Sequence, residues 1–330
     1  METNLRPLTL GEILDRTAQL YRSRFVLFAG IFAVYAGVVL VLNLLQIGVA
    51  SWLKGIHAGS WIWILTGTAA VIKVLLVFLF AGAAVAAISR AVAWVHLGET
   101  ATIRGAYLSI RPRLGRYLWL MTITIFVAWL PVGLAYGGYI AFVLLYLPKG
   151  FMAHPAGSNQ SAMVLFSVVS VVFVLALLPA LAYGVVMMLR YALAVPACVV
   201  EDLKARKAIR RSIELSKGAR GRIFVLGLLV FVIEIGLVGL SQTFFFVAAF
   251  KQHGHVSPIV QALSQIVAFF TNAVLGPIYA TGLTLFYYDQ RVRKEGYDIE
   301  WMMQAAGLNP PAPEPPEVEA SEPRQAGEPA

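Results

Sequence analysis

The sequence predicts an all-α, polytopic integral membrane protein with six transmembrane helices arranged as three hairpins. Three observations lead to this prediction: a strongly apolar composition, six apolar runs long enough to cross a bilayer, and basic residues gathered on one side of those runs. Of the 330 residues, 59% are hydrophobic and 13% are charged, and the mean hydropathy is +0.76. An ordinary soluble domain carries about 25% charged residues, so this class is excluded.

Each of the six apolar runs is long enough to form a transmembrane helix. A bilayer core about 30 Å thick requires roughly 20 apolar residues in a helix. Strands of a membrane barrel are about 10 residues long and alternate in polarity, and these runs do neither. The runs are Phe25–Ile47, Trp61–Ser89, Tyr117–Leu147, Ala162–Leu189, Ile223–Phe250 and Ile259–Tyr288.

The basic residues predict how the chain is oriented. Of the 26 lysines and arginines, 22 lie before run one, between runs two and three, between runs four and five, or after run six. Basic residues beside membrane spans stay on the cytoplasmic side, so both termini are predicted to be cytoplasmic. The net charge of +9 then faces anionic lipid headgroups, and we expect no nucleic-acid partner.

A short amphipathic helix is predicted at the cytoplasmic face before each hairpin. In the first, Thr9 and Glu12 form a capping-box pattern ahead of an apolar stripe. The second and third recur at a fixed distance, because Ile103 and Ile209 each lie 14 residues before their hairpins, at Tyr117 and Ile223. This spacing favours a threefold repeat. The stripes are Leu10, Ile13, Leu14, Thr17 and Tyr21; Ile103, Ala106, Tyr107 and Ile110; and Ala205, Ala208, Ile209, Ser212 and Ile213.

The composition changes near the C-terminus. Residues 1–304 form the predicted six-span membrane domain, and residues 305–330 are rich in proline, glutamate and alanine. Such a segment buries too little apolar surface to order itself, so we expect a disordered cytoplasmic tail.

Two charged residues lie inside the apolar runs. Lys73 is 17 residues from Arg90, or about 25 Å along a helix, and Glu234 is 12 residues from Arg222, or about 18 Å. Because an ionisable group in a bilayer costs about 3 kcal/mol, each needs a partner or water. A structural salt bridge between them is one interpretation. A second interpretation is an ion or proton relay, or a headgroup anchor, and a third is that the two residues never meet.

Two further groups of residues are candidate sites. The last run carries Gln261, Gln265 and Asn272 on one stripe, which favours either a polar pathway or interhelical hydrogen bonds. The third amphipathic helix is dense in basic residues, which predicts docking of anionic headgroups or of a protein partner. The residues of this second candidate site are Lys204, Lys207, Arg210 and Arg211.

No enzyme signature is present in the sequence. The nucleophile-elbow, zinc-protease and phosphate-loop motifs are all missing. His253 and His255 have no nearby cysteine or carboxylate, so neither a metal site nor a cofactor is predicted. The prediction leans towards a protein that is not an enzyme.

Three segments of the chain carry a likeness to a known family. They run from Leu5 to Asp15, from Val195 through Glu201 to Leu215, and from Tyr287 to Asp298. Together they resemble the bacterial family called the glycerophosphoryl diester phosphodiesterase membrane domain, and the likeness covers residues 1–304. The resemblance implies a multi-pass protein of the bacterial cytoplasmic membrane. In the enzymes that name the family, a separate soluble barrel performs the hydrolysis, and we expect none in this chain.

These features lead to two hypotheses of function. The first is a non-enzymatic membrane module that assists lipid or glycerophosphodiester metabolism, or envelope maintenance, through a protein partner in trans. The alternative is a small-molecule or lipid transporter, or a flippase, that uses Lys73 and Glu234.

Overall fold

The computed structural model describes residues 7–55, 61–96, 98–150, 160–251 and 257–296, and their regular structure is entirely helical. The predicted tail, 305–330, lies outside these ranges. Ten α-helices and one 3₁₀ turn, Arg111–Arg113, follow one another. The helices are α1 Leu10–Ser23, α2 Phe25–Gly55, α3 Trp61–His96, α4 Ile103–Ile110, α5 Leu114–Gly150, α6 Gln160–Tyr191, α7 Ala194–Val200, α8 Ala205–Ser216, α9 Arg220–Lys251 and α10 Pro258–Glu295.

Six of these helices are long and apolar enough to cross a membrane, so the protein is a multi-pass membrane protein. They are α2, α3, α5, α6, α9 and α10, with 31 to 38 residues each. The six predicted apolar runs are confirmed. Each helix extends past its run at one end or at both.

Consecutive long helices pack in pairs: α2 on α3, α5 on α6, and α9 on α10. The most extensive contact joins the two ends of the chain, where α10 packs along α2. Gly276 lies against the ring of Phe32, and Gly37 lies against the ring of Phe269. Farther along, the Asn43 amide donates to Gln265 Oε1 at 2.8 Å.

The buried core lies at one end of the bundle. We call it the basic end: it contains α1, α4, α7 and α8 together with the adjoining termini of the six long helices. Its fully buried side chains include Ile13, Phe28, Tyr117, Leu193 and Phe286. Away from the basic end, the long helices expose apolar side chains. This distribution suits a bundle whose outer surface is solvated by lipid.

Helices α1 and α4 begin at side-chain caps, and α1, α4 and α8 each bury one face. Thr9 and Glu12 make both hydrogen bonds of the capping box, and Thr102 accepts from the Gly105 N–H. Their buried residues are Ile13 and Thr17 in α1, Ala106 and Ile110 in α4, and Ala205, Ala208, Ser212, Leu215 and Ser216 in α8.

The three short helices pack against the ends of the long helices. Helix α4 packs on α3 and α2, and α8 packs on α7, α6, α5 and α10. Helix α1 packs mainly on α10 and more lightly on α2 and α9. Two tyrosine hydroxyls contribute: Tyr107 donates to the Ile31 carbonyl of α2 at 2.7 Å, and Tyr21 donates to the Val274 carbonyl of α10 at 2.5 Å.

Candidate functional site

The basic face of α8 is the first candidate site. Lys204, Lys207 and Arg210 are exposed, and in the described part of the chain no carboxylate pairs with them. The buried face of the same helix is held by Ser212. Its hydroxyl donates to the Arg190 carbonyl at 2.8 Å and accepts from the Leu193 N–H at 3.2 Å. The three cations are thus displayed on a firmly docked helix.

The fourth predicted docking residue, Arg211, is paired within the protein. Its Nε lies 2.9 Å from Glu201 Oε1, and its Nη1 forms an ion pair with Glu295. Burial opposes the charge of Arg211, but the hydrogen bonds that it donates to Glu295 and Glu201 outweigh this effect and leave its pKa raised. Arg211 is therefore engaged by two carboxylates distant in sequence, and its docking of an external group stays a prediction.

The same network reaches α10 through two more residues. The Tyr287 hydroxyl donates to Glu201 Oε1 at 2.5 Å, and Arg291 Nε lies 3.2 Å from Glu295 Oε2. Tyr287 is fully buried, so this hydrogen bond satisfies a hydroxyl that would otherwise be costly to bury. The network fixes the junction of α7, α8 and α10.

A second network surrounds the buried carboxylate of Asp289. It accepts from the Leu8 N–H at 2.7 Å and from Arg293 Nε at 3.0 Å, and it lies 3.3 Å from Arg222 Nη1. The Leu8 carbonyl in turn accepts from Arg222 at 2.8 Å and from Arg293 at 2.5 Å. The chain segment before α1 is thereby fastened to the ends of α9 and α10.

A third network holds the segment between α7 and α8. Asp202 adopts a left-handed backbone, with φ of 55°, and its carboxylate lies 2.5 Å from Arg113 and 2.8 Å from Arg116. Arg116 also donates to the Leu203 carbonyl at 3.3 Å. Arg116 is the third residue of α5, as Arg222 is the third residue of α9. Each donates to a backbone carbonyl in the segment that precedes a short helix.

Comparisons of the chain with protein-family models, with curated proteins and with solved structures find no match. The resemblance drawn from the sequence therefore rests on its three segments alone. In the structure these segments meet at the basic end: Leu8 of the first contacts Asp289 of the third, and Glu201 of the second contacts Tyr287 of the third. Neither Asp289 nor Tyr287 was predicted as a contact residue, although both lie in the third segment.

The two charges inside the apolar runs do not meet. The Lys73 ammonium donates to Asn43 Oδ1 at 3.2 Å and to Gln46 Oε1 at 2.5 Å, and no ion pair joins it to Glu234 in the described ranges. Helix α3 packs on α2 and α10, whereas α9 packs on α10 and only lightly elsewhere. The predicted salt bridge is therefore corrected: matching heights along two helices did not make them neighbours.

Of the three amides predicted in the last run, Gln265 connects to another helix through Asn43. Asn43, Gln46, Lys73 and Gln265 consequently form one polar cluster across α2, α3 and α10, which we call the lysine cluster. Asn272 is exposed and donates to the Ala268 carbonyl of its own helix, and Gln261 is also exposed.

In the described part of the chain, no three histidine, cysteine or acidic side chains come close enough together to hold a metal ion. His253 and His255 lie outside it.

Proposed function

We propose that the protein is a non-enzymatic module of the bacterial cytoplasmic membrane. In this proposal it assists lipid or glycerophosphodiester metabolism, or envelope maintenance, by docking anionic headgroups and a protein partner in trans. The observation that supports it best is the exposed, unpaired set of Lys204, Lys207 and Arg210 on a helix whose other face is buried. The resemblance of the three segments supports the family role.

The charge distribution supports a cytoplasmic location for the basic end. Both described chain ends, at residues 7 and 296, lie there, and basic residues beside spans stay in the cytoplasm. An anionic leaflet attracts each nearby basic residue by about 1 kcal/mol, so three together supply about 3 kcal/mol. This corresponds to roughly a hundredfold enrichment of the docked group.

Extraction of the protein in native nanodiscs tests this proposal. The triple variant Lys204→Gln, Lys207→Gln, Arg210→Gln should co-purify with less anionic lipid relative to zwitterionic lipid, and should lose a partner found with the wild type. A matched control replaces Arg22, Arg24 and Arg104 with glutamine, because these residues are also exposed at the basic end. Equal lipid ratios and equal partners in all three preparations would reject the α8 docking site.

The lysine cluster favours a second candidate, a small-molecule or lipid transporter. A cation held only by neutral amides inside a span is typical of a site that a substrate anion could share. Flux in proteoliposomes should then fall in Lys73→Met. If flux survives Glu234→Gln, the Glu234 carboxyl takes no part in transport. Absent flux in the wild type argues against transport altogether.

A further inference from the structure

The lysine cluster has more hydrogen-bond donors than acceptors. A lysine ammonium carries three N–H groups and a side-chain amide carries two, whereas each amide offers a single oxygen. The hydrogen bonds of the cluster already use the oxygens of Asn43, Gln46 and Gln265 once each. Among the described residues, the Nε2 groups of Gln46 and Gln265 and the third N–H of Lys73 find no acceptor. What the cluster lacks is therefore an acceptor.

The three helices that form the cluster offer Lys73 no counter-charge. Helices α2 and α3 contain no acidic residue, and the first one in α10, Asp289, lies 24 residues past Gln265, or about 36 Å along the helix. Within the described ranges, no ion pair joins Lys73 to a carboxylate. Because an uncompensated charge inside a bilayer is costly, the acceptor that suits this cluster is an anion.

The cluster lies at the outer surface of the bundle, where a ligand can reach it. All four of its residues are only half-buried, and the neighbours of Lys73 in α3, Ile72 and Val74, are 58% and 62% exposed. Lys73 is about 25 Å along the helix from Arg90, so in a hydrocarbon core about 30 Å thick the cluster lies in the half farther from the basic end. Hydrocarbon offers no acceptor to exposed N–H groups, so the ligand must supply its own oxygens.

We propose that the lysine cluster binds a carboxylate, whose two oxygens accept from the Lys73 ammonium and from an amide N–H of Gln46 or Gln265. Its single negative charge balances the single charge of Lys73. A carboxylic acid also enters hydrocarbon in its neutral form, since the pKa of a free carboxyl group is about 4. Its source is either a fatty acid in the bilayer or a small water-soluble acid. The inference deepens the transporter candidate, on which its role in transport rests, by naming the substrate class.

Equilibrium binding to the full-length protein in nanodiscs of zwitterionic phosphatidylcholine tests this site. The probes are radiolabelled oleate, an acid that dissolves in the bilayer, and radiolabelled acetate, an acid that stays in water. We expect saturable binding of at least one probe, and the probe that binds identifies the source of the carboxylate. Oleyl alcohol has the same chain as oleate without the charge and should not displace it. Binding should be lost in Lys73→Met and about tenfold weaker in Gln265→Leu.

Two further variants separate loss of the site from loss of the fold. Lys73→Arg keeps the cation and its donors and should retain binding. Glu234→Gln also removes a charge from an apolar run, but from α9, outside the cluster, and should bind as the wild type does.

Three results would overturn the proposal: no saturable binding of either acid, displacement of oleate by oleyl alcohol as strong as by oleate itself, or wild-type binding in Lys73→Met. Flux in proteoliposomes is scored separately. Carboxylate binding without flux upholds this site and ends the transporter candidate, whereas flux without carboxylate binding rejects this site and keeps that candidate.

Discussion

At the scale of single residues, the buried carboxylate of Asp289 connects the segment before α1 with the ends of α9 and α10. Its carboxylate is fully buried, whereas Arg222 and Arg293 are 30% and 36% exposed. Asp289→Asn leaves both guanidinium groups without a counter-charge, and breaking a buried pair costs 3–5 kcal/mol in general. Because the arginines are partly solvated, we expect about 2 kcal/mol. The unfolding midpoint of the purified protein measures the change.

Asp15→Asn is the matched control for that prediction. Asp15 is exposed on α1, and its contact is a hydrogen bond from Gln19 on the same helix. This change should alter the free energy of unfolding by less than about 0.5 kcal/mol. If both variants unfold at the same temperature, Asp289 does not hold the N-terminal segment in place.

The residue scale is also where prediction from the sequence was weakest. The positions of Lys73 and Glu234 along their helix axes could be calculated from the rise per residue. Which helices become neighbours depends on side-chain packing, and a single sequence gives no direct sign of that. Arg211 was counted as a docking residue because its partners, Glu201 and Glu295, are 10 and 84 residues away. Long-range pairs of this kind leave no periodic signal.

At the scale of elements, the seam between α2 and α10 depends on a glycine. A Cβ at Gly276 would overlap the ring of Phe32, so Gly276→Ala should force the two helices apart and cost about 1–3 kcal/mol. Gly133→Ala in α5 is the control, since nothing lies within 4 Å of a Cβ there and both glycines lie close to a proline. It should gain up to about 1 kcal/mol from helix propensity. Thermal unfolding of both variants in one detergent compares them, and equal stability would show that the seam can absorb the methyl group.

The long helices were the part of the fold that the sequence predicted best. In a run of 20 or more apolar residues, a single polar residue changes the mean hydropathy little. The bilayer also sets a minimum helix length, and few helices of soluble proteins are both that long and that apolar. Pro179 lies within α6 and Pro277 within α10, and both helices continue through them. Helix α7 was not predicted as a separate element, because the apolar character of α6 continues through Ala194 to Val200 and hides the break at Ala192 and Leu193.

At the scale of the whole molecule, the two ends of the described chain pack together, because α10 packs along α2 and α1 packs on α10. The 14-residue spacing from Ile103 and Ile209 to their long helices predicted a repeat, but spacing along a chain cannot show which helices become neighbours. Leu8 and Leu203 lie two residues before α1 and α8, and their carbonyls accept from Arg222 and Arg116. These contacts match in two of the three predicted copies, and the threefold repeat stays a prediction.

The orientation of the helix bundle in the membrane is predicted from its charge and gives the last prediction. If the basic end is cytoplasmic, a membrane-impermeant maleimide added to intact cells should label Ser257→Cys, at the opposite end, and should not label Ser23→Cys, at the basic end. Both serines are exposed, so the two substitutions are matched in size and accessibility. Permeabilised cells should give equal labelling.

The wild-type protein is the blank for this measurement, because its single thiol, Cys198, is buried. Labelling of Ser23→Cys in intact cells, with Ser257→Cys protected, would invert the orientation. It would place the basic face of α8 outside the cytoplasm, and the docking site proposed for Lys204, Lys207 and Arg210 would then require an anionic outer leaflet. The orientation experiment therefore decides which leaflet the docking site proposed on α8 can reach.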